Sequence, residues 1–317
     1  MQVTEHLATA KDTLVSFEVL PPLKGRTISY IYEHLDPLME YKPSWINVTY
    51  HRSETIIRKN EAGVEERVDV RKRPGTVGIC AAIMNHYNVD AVPHIICGGF
   101  SKRETEDALI DLQFLGIDNV LVLRGDAEKR QKTFVPSPNG NQQAIDLLKQ
   151  VVGLNKGEYL DKEIVNGSKT NFCMGVAGYP EKHFEAPSME FDLQRAKDKV
   201  DAGAQYIMTQ MFFDNKKYFE YVDACRSMGI NVPIIPGLKP ITNKKQLTIL
   251  PDIFFVDIPA DLRNAMLAAT TDEACEQVGT EWLIQQSKEL KAAGVPVLHY
   301  YTLGKPQVIK NVCKGVF

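Results

Sequence analysis

The chain has 317 residues, of which 37 are Lys or Arg and 40 are Asp or Glu, so its formal net charge at pH 7 is −3. A chain of this length buries roughly 75% of the surface that its unfolded form exposes, which is enough for a large core without disulfides or metals. No basic stripe interleaved with aromatic residues is present in the sequence, which argues against a nucleic-acid-binding protein.

Eight short apolar runs predict eight buried β-strands. In chain order they cover residues 14–20, 45–50, 92–97, 119–123, 172–177, 206–210, 234–237 and 297–301. The second run is followed by a densely charged stretch, residues 58–75, which predicts a solvated loop or a short hairpin.

Segments with the periodicity of amphipathic helices separate most of these runs. One segment begins with Ser101 and has Glu104 three residues later, which is the signature of a capping box. Four segments end in a glycine just before the next apolar run, a pattern typical of a helix closed by a residue with positive φ. These glycines are Gly116, Gly203, Gly229 and Gly294.

Apolar strands that alternate with helices are typical of a parallel sheet whose outer face is covered by those helices. Eight such units in roughly 300 residues predict an α/β fold, a (β/α)8 TIM barrel that forms a single domain over residues 1–317. The alternative is a doubly wound open sheet, which ordinarily has fewer strands per domain.

Several motifs are missing from the sequence, and their absence narrows the class of protein. The six cysteines form no CxxC pair, which is typical of reduced core residues in a cytosolic protein. The N-terminus lacks a secretory signal and no apolar stretch approaches the ~20 residues of a membrane helix, so we expect a cytoplasmic protein. GxGxxG, Walker A and HExxH motifs are absent and the seven histidines are not clustered, so we expect no catalytic metal.

Polar side chains occur at seven of the eight predicted strand ends. Barrel enzymes carry their chemistry at the carboxyl ends of the strands, so these side chains are expected to share one cavity. A single such residue is weak evidence, since a lone histidine such as His94 is more often a hydrogen-bonded core residue. The prediction of a cavity depends on the occurrence of polar side chains at so many strand ends. Glu18 stands out as the single carboxyl in the apolar stretch VSFEVLPP, where loss of solvent is expected to raise its pKa.

Seven stretches spread over nearly the whole chain form a pattern that is more specific than any single motif. They are SFEVLPP, NVTYHR, LRGD, VAGYPEKHFEA, DLQRAKDKVDAGAQYIMTQMFFD, IIPGLKPI and HYYTLGK. Together they resemble the 5,10-methylenetetrahydrofolate reductase family. The resemblance implies a homo-oligomeric FAD barrel that uses NADH or NADPH to make 5-methyltetrahydrofolate, the methyl donor for methionine synthesis. It covers the catalytic barrel alone, so we expect no C-terminal regulatory domain.

The resemblance also assigns roles to individual residues. Glu18 is the general acid that protonates N10 of methylenetetrahydrofolate, which opens the imidazolidine ring and leaves an N5 iminium for hydride transfer. Asp126 acts beside the flavin and the pterin, and Gln210 contacts folate and nicotinamide in turn, as in a ping-pong sequence. The implied FAD contacts are Thr49, Tyr50, His94, Arg124, Gly125, Asp126, Ala144, Tyr179, His183, Asp192 and Lys199. The implied substrate contacts are Asp126, Gln210, Gln246 and Lys305.

Three positions depart from the family pattern. Gln143 replaces a tyrosine near the sugar-phosphate part of the flavin, and Leu250 replaces a phenylalanine near the folate site. Lys305 replaces an arginine that holds the glutamate tail of the substrate, and Lys lacks the bidentate fork of Arg. Two alternatives stay open: an FAD barrel oxidoreductase of another substrate, similar to proline dehydrogenase, and a non-catalytic flavin- or folate-binding protein.

Overall fold

The computed structural model describes residues 1–61, 63–127 and 133–317. In these residues the strands are β1 (Leu14–Val19), β2 (Trp45–Val48), β3 (Glu54–Lys59), β4 (Glu65–Val70), β5 (Asp90–Ile96), β6 (Asn119–Leu123), β7 (Cys173–Gly178), β8 (Tyr206–Met211), β9 (Ile234–Leu238) and β10 (Val297–Tyr301). Eight of them close a parallel barrel in the order β1-β10-β9-β8-β7-β6-β5-β2, while β3 and β4 form a separate antiparallel hairpin.

Helices surround the barrel and follow most of its strands. They are α1 (Val3–Thr9), α2 (Ser29–Leu35), α3 (Thr76–Tyr87), α4 (Lys102–Phe114), α5 (Ala144–Lys156), α6 (Met189–Asp201), α7 (Asn215–Ser227), α8 (Gln246–Phe254), α9 (Ala260–Ala268), α10 (Asp272–Ala292) and α11 (Pro306–Val316). A 3-10 helix over Asp36–Tyr41 precedes β2. In the described part of the chain, no helix combines the length and the apolar composition needed to cross a membrane.

The predicted (β/α)8 barrel is confirmed, and closure of the sheet excludes the doubly wound alternative. All eight predicted strands are present with bounds that differ by at most two residues. The sequence predicts a solvated loop or a short hairpin for the charged stretch after β2. The hairpin is the form observed, because this stretch contributes to the β3–β4 pair. The capping box is also confirmed, because the Ser101 backbone N–H donates to the Glu104 carboxylate at 2.7 Å and the Glu104 N–H donates to Ser101 Oγ at 3.3 Å.

Each of the four glycines predicted to close a helix has a positive φ. The values are +70° for Gly116, +121° for Gly203, +77° for Gly229 and +76° for Gly294. A residue with a Cβ is strained in this conformation, so glycine ends the helix and turns the chain into the next strand. The pattern of a helix, a closing glycine and a following strand, predicted at four places in the sequence, is therefore present in the barrel.

Helix α1 closes the amino end of the barrel. Its Val3 is buried in the apolar cluster that fills the lower barrel with Trp45, Val92 and Tyr206. The Val3 backbone N–H donates to Asn119 Oδ1 at 2.8 Å, which ties the helix to the start of β6. Apolar side chains therefore fill the amino end, and in the described part of the chain the carboxyl ends of the strands are where polar side chains can gather.

Helices α8 and α9 add a wall beside the carboxyl ends of β8 and β9. Their buried side chains form a separate apolar cluster that includes Met211, Ile241, Leu250 and Leu262. Helix α10 lies very close to this wall, since a Cβ on Gly279 would approach the Ile241 carbonyl oxygen to 1.7 Å. Helix α8 of this wall carries Gln246, a predicted substrate contact, and Leu250.

Candidate active site

Glu18 lies on the inward face of β1 near its carboxyl end, and its side chain is buried, with 7% of the residue exposed. Burial raises the pKa of its carboxyl, and nearby His94 opposes this with a smaller effect. Among the described residues, the basic groups within 4 Å of the carboxylate are two histidines rather than an arginine or a lysine. The sequence-based expectation of a carboxyl that keeps its proton is therefore consistent with its surroundings.

Both histidines beside Glu18 are neutral near neutral pH. His94 Nε2 lies 3.4 Å and His299 Nε2 lies 3.8 Å from Glu18 Oε2. Burial lowers the pKa of His94 to about 4 and that of His299 to about 3. Because both histidine pKa values lie well below neutral pH, burial outweighs the smaller, opposing effect of His94 and the pKa of Glu18 stays raised.

Two further polar side chains hold these histidines in position. Ser16 Oγ lies 2.8 Å from His299 Nδ1, and the Asn47 side-chain amide nitrogen lies 3.2 Å from His94 Nε2. Ser16 and Glu18 face the same side of β1 because side chains alternate along a strand. His299 Nε2 has no hydrogen-bond partner among the residues that the structure describes, so it presents an unpaired nitrogen toward the carboxyl.

A second group of polar residues lies at the ends of β6 and β7 and on α6. The Tyr179 and His183 rings meet edge to face with centroids 4.7 Å apart, and the His183 backbone N–H donates to Asp192 Oδ2 at 3.0 Å. Lys199 Nζ donates to the Ala177 carbonyl at 2.6 Å. Burial raises the pKa of Tyr179, and the negative charges of Asp192 and Asp126 raise it further.

The chemistry of this second group fits FAD. Arg124 and Lys199 provide two cations for a diphosphate, and burial lowers the pKa of Lys199 only to about 8, so its ammonium stays charged near neutral pH. Arg124 also forms an ion pair with Glu185. A cavity of about 600 Å³ is lined by Tyr50 and His94, and its other walls come from residues within 22–28, 71–82 and 95–108 rather than from the second group.

The remaining residues predicted to contact FAD lie at the same end of the barrel. Thr49 follows β2 and its backbone N–H donates to the Val19 carbonyl at 3.2 Å. Gly125 has φ +85° at the end of β6, and the next residue, Asp126, is exposed. Ala144 is the first residue of α5, which opens with the Gln143 backbone N–H donating to Asp146 Oδ2 at 3.0 Å. This hydrogen bond fixes the start of α5 in a chain that lacks the family's tyrosine at residue 143.

Apart from Asp126, the positions predicted to contact the substrate lie on the other side of the barrel mouth. Gln210 Oε1 accepts from the Met211 N–H at 2.9 Å, and Gln246 Oε1 accepts from the Thr242 N–H at 2.7 Å. Lys305 follows β10 and pairs with Glu276 at 3.1 Å. Leu250 is 3% exposed inside the α8 cluster, so it offers no stacking face to a ligand.

The structure thus brings the predicted residues to one end of the barrel in two groups, separated by Glu18 on β1. Residues that sequence reasoning missed complete the surroundings of that carboxyl: Ser16, Asn47 and His299. The signal for them was present, since period-2 alternation puts Ser16 and Glu18 on one strand face and His299 on the inward face of the last strand. Which residue does what in a reaction stays a prediction.

The fold and the site define a (β/α)8 barrel protein with a buried carboxyl at the barrel mouth and two basic residues, Arg124 and Lys199, on one side of it. The sequence model of the family Methylenetetrahydrofolate reductase matches residues 2–316. The chain belongs to this family.

Individual relatives agree with that assignment. The chain is 32% identical to 5,10-methylenetetrahydrofolate reductase of Escherichia coli strain K12, over 94% of this chain and 89% of the relative. It is 32% identical to methylenetetrahydrofolate reductase (NADH) 1 of Arabidopsis thaliana and 27% identical to the probable methylenetetrahydrofolate reductase (NADPH) of Caenorhabditis elegans, over 96% and 98% of this chain. The chain spans about half of the length of these two relatives, 48% and 43% respectively.

A solved structure has the same fold. It is an uncharacterized protein from Clostridium thermocellum that binds two copies of 5-methyl-5,6,7,8-tetrahydrofolic acid. The TM-score is 0.59 with 13% sequence identity, over 99% of this chain and 98% of that one. At this identity the likeness shows a common fold.

Proposed function

We propose that the protein is an FAD-dependent reductase that converts 5,10-methylenetetrahydrofolate into 5-methyltetrahydrofolate with NADH or NADPH. The observation that carries the proposal is the buried Glu18 carboxyl, whose pKa burial raises, beside two neutral histidines. Family membership supports the reaction, and the relatives named for NADH and for NADPH support a reduced nicotinamide as the reductant. The folate-binding barrel from C. thermocellum shares the fold.

Glu18 supplies the proton that the reaction needs. N10 of the substrate is a poor leaving group until it is protonated, and a carboxyl that keeps its proton near neutral pH is suited to this step. Loss of the proton leaves a carboxylate beside the N5 iminium cation, which its negative charge stabilises. The backbone of Glu18 is fixed, because its carbonyl accepts from Thr302 Oγ1 at 2.7 Å and from the Thr302 N–H at 3.2 Å.

The residues around β6, β7 and α6 bind and orient the cofactor. FAD, when bound, supplies hydride transfer from the reduced nicotinamide to the folate in two successive half-reactions. Arg124 and Lys199 hold its diphosphate, and Asp126 contributes negative charge near the flavin and the pterin. The other residues proposed to contact it are Thr49, Tyr50, His94, Gly125, Ala144, Tyr179, His183 and Asp192.

The substrate occupies the side of the mouth formed by β8, β10 and α8. Gln210 contacts the folate and the nicotinamide in turn, as expected when both reactants use one binding place in a ping-pong sequence. Gln246 and Lys305 contact the folate, and Lys305 does so from the rim. The product is a methyl donor for methionine synthesis within one-carbon metabolism, and we propose that the protein acts in the cytoplasm as a homo-oligomer.

The experiment that tests the function is an anaerobic titration of the purified protein followed by visible absorption. NADH is expected to bleach the band of oxidised flavin, and methylenetetrahydrofolate added afterwards is expected to restore it. Both steps together would support the reductase and the ping-pong order. Bleaching without restoration by the folate would contradict the proposed substrate, and a protein without a flavin band, even after incubation with FAD, would contradict the proposed cofactor.

A further inference from the structure

Lys239, the residue after β9, is a buried cation with no assigned role. It is 6% exposed, and its Nζ donates to the Pro240 carbonyl at 3.0 Å. No carboxylate within residues 1–61, 63–127 and 133–317 forms an ion pair with it, and burial lowers its pKa to about 8. A buried ammonium with one carbonyl partner costs folding free energy, so its presence at the barrel mouth calls for a ligand that compensates the charge.

The strand register places Lys239 in the same layer as Glu18. Phe17, Tyr300 and Leu238 are register partners on β1, β10 and β9, and all three belong to the apolar cluster outside the barrel. Because side chains alternate along a strand, the next residue on each strand faces the inside of the barrel. These residues form the row Glu18, Tyr301 and Lys239. Neighbouring strands are about 4.8 Å apart, so the Cα atoms of Glu18 and Lys239 are roughly 10 Å apart across the mouth.

We propose that Lys239 binds a carboxylate of the glutamate tail of the folate substrate, an inference that rests on the proposed function. Glu18 is the proposed proton donor to N10, and the glutamate is joined to N10 through a p-aminobenzoyl group. This group spans a distance comparable to the separation of Glu18 and Lys239. A folate with N10 beside Glu18 thus brings its tail carboxylate toward Lys239 when it extends along the row past Tyr301.

Other anions fit this position less well. The FAD diphosphate already has Arg124 and Lys199 on the β6–β7 side of the barrel, and the pterin ring carries no anionic group near neutral pH. Lys305, the other proposed tail contact, is 55% exposed at its side chain and already paired with Glu276. An exposed pair is weakened by solvent, whereas a buried ammonium attracts a carboxylate more strongly. The diphosphate of the nicotinamide cofactor is the remaining source of an anion at this place.

The test measures binding of 5-methyltetrahydrofolate, and of its derivative with both tail carboxylates converted to carboxamides, to the FAD-loaded protein by isothermal titration calorimetry. Lys239→Met keeps the length of the side chain and removes its charge. It is expected to weaken binding of 5-methyltetrahydrofolate by roughly 10- to 100-fold, and to leave binding of the diamide unchanged. Lys244→Met is the matched control, since Lys244 is exposed and donates to the Leu267 carbonyl at 2.9 Å. This variant is expected to bind both ligands as the wild type does.

Thermal unfolding separates this role from a structural one. If Lys239 serves ligand binding, Lys239→Met removes an uncompensated buried charge and its unfolding midpoint equals or exceeds that of the wild type. A lower midpoint would mean that the ammonium supports the fold and would overturn the proposal. A second variant, Lys305→Met, keeps Lys239 and changes only an exposed side chain. If Lys239 binds the tail, this variant still binds 5-methyltetrahydrofolate more tightly than the diamide.

Three further binding outcomes would overturn the proposal. In the first, Lys239→Met weakens binding of both folate ligands equally. In the second, the variant still prefers the ligand with free carboxylates. In the third, it raises the KM for NADH in the bleaching half-reaction while folate binding is unchanged. The last result would assign Lys239 to the dinucleotide diphosphate. Failure of the wild-type protein to bind either folate ligand is a separate result, since it refutes the proposed function before the variant is compared.

Discussion

Replacing Glu18 with Gln removes the proposed proton donor and preserves the shape of the side chain. The Glu18 side chain is 9% exposed, and the neighbours of its carboxyl are His94 Nε2 and His299 Nε2 at 3.4 and 3.8 Å. A glutamine amide fills the same space beside the same nitrogens, but it cannot transfer a proton to N10. Because burial favours the neutral form of Glu18, the exchange for a neutral amide is expected to leave the fold intact.

The expected loss is confined to the step that needs an acid. General acid catalysis contributes roughly 10²- to 10⁴-fold in rate, which corresponds to about 2.7–5.4 kcal/mol of transition-state stabilisation. The upper part of this range is expected here, because a side chain that is 9% exposed leaves little room for water to replace its carboxyl as a donor. Hydride transfer from NADH involves no proton from Glu18, so flavin reduction by NADH is expected to stay nearly unchanged.

Stopped-flow absorption measures the two half-reactions separately, first flavin reduction by NADH and then reoxidation by methylenetetrahydrofolate. In the wild type, the folate half-reaction is expected to slow as pH rises through the raised pKa of Glu18, because the acid form is lost there. Glu18→Gln is expected to lose this dependence. Equal losses in both half-reactions, or a variant whose folate half-reaction keeps the wild-type pH profile, would refute Glu18 as the acid.

Three further substitutions test the surroundings. Ser16→Ala leaves both ring nitrogens of buried His299 without a partner among the described residues, and it is expected to lower the free energy of unfolding by about 1–3 kcal/mol in urea; an unchanged value would contradict the hydrogen bond. Gly279→Ala gains about 1 kcal/mol of helix propensity but brings a Cβ to 1.7 Å from the Ile241 carbonyl oxygen, so the unfolding midpoint is expected to fall, and a rise would contradict the packing of α10. Lys199→Met is expected to lower the ratio of flavin to protein after purification without lowering the midpoint of the apoprotein, and full flavin retention would remove Lys199 from the FAD site.

The barrel was predictable because its strands are buried on both faces. Such strands leave short uninterrupted apolar runs, and the glycines that close the helices mark where each new strand begins. Helix α1 was missed, since seven residues are too few for a clear helical period. What holds α1 is its contact with the lower barrel through Val3 and Asn119, and a contact between residues 116 positions apart leaves no local pattern in the sequence.

The site was only partly predictable, for a related reason. Glu18 is visible because a single carboxyl interrupts an apolar run, and its burial in the structure agrees with that reading. The pair of Ser16 and His299 is separated by 283 residues, and it forms because closure of the barrel makes β1 and β10 neighbours. A predicted barrel already implies this neighbour relation, so the register of its first and last strands would have been the way to find the pair.

The order of strands around the barrel suggests why the acid lies on β1. Residues assigned to the cofactor lie on or shortly after β2, β5, β6 and β7 and on α5 and α6, whereas those assigned to the substrate lie mainly around β8, α8 and β10. Strand β1 pairs with β2 on one side and with β10 on the other, so Glu18 stands where the two sets meet. Under the proposed function, a proton donor at this place would reach a folate that extends from the β8–β10 side toward the flavin. The two histidine neighbours of Glu18 come from either side of β1, His94 from β5 and His299 from β10. Burial, which outweighs the opposing effect of His94, therefore raises the pKa of the Glu18 carboxyl at this boundary between the two sets of residues.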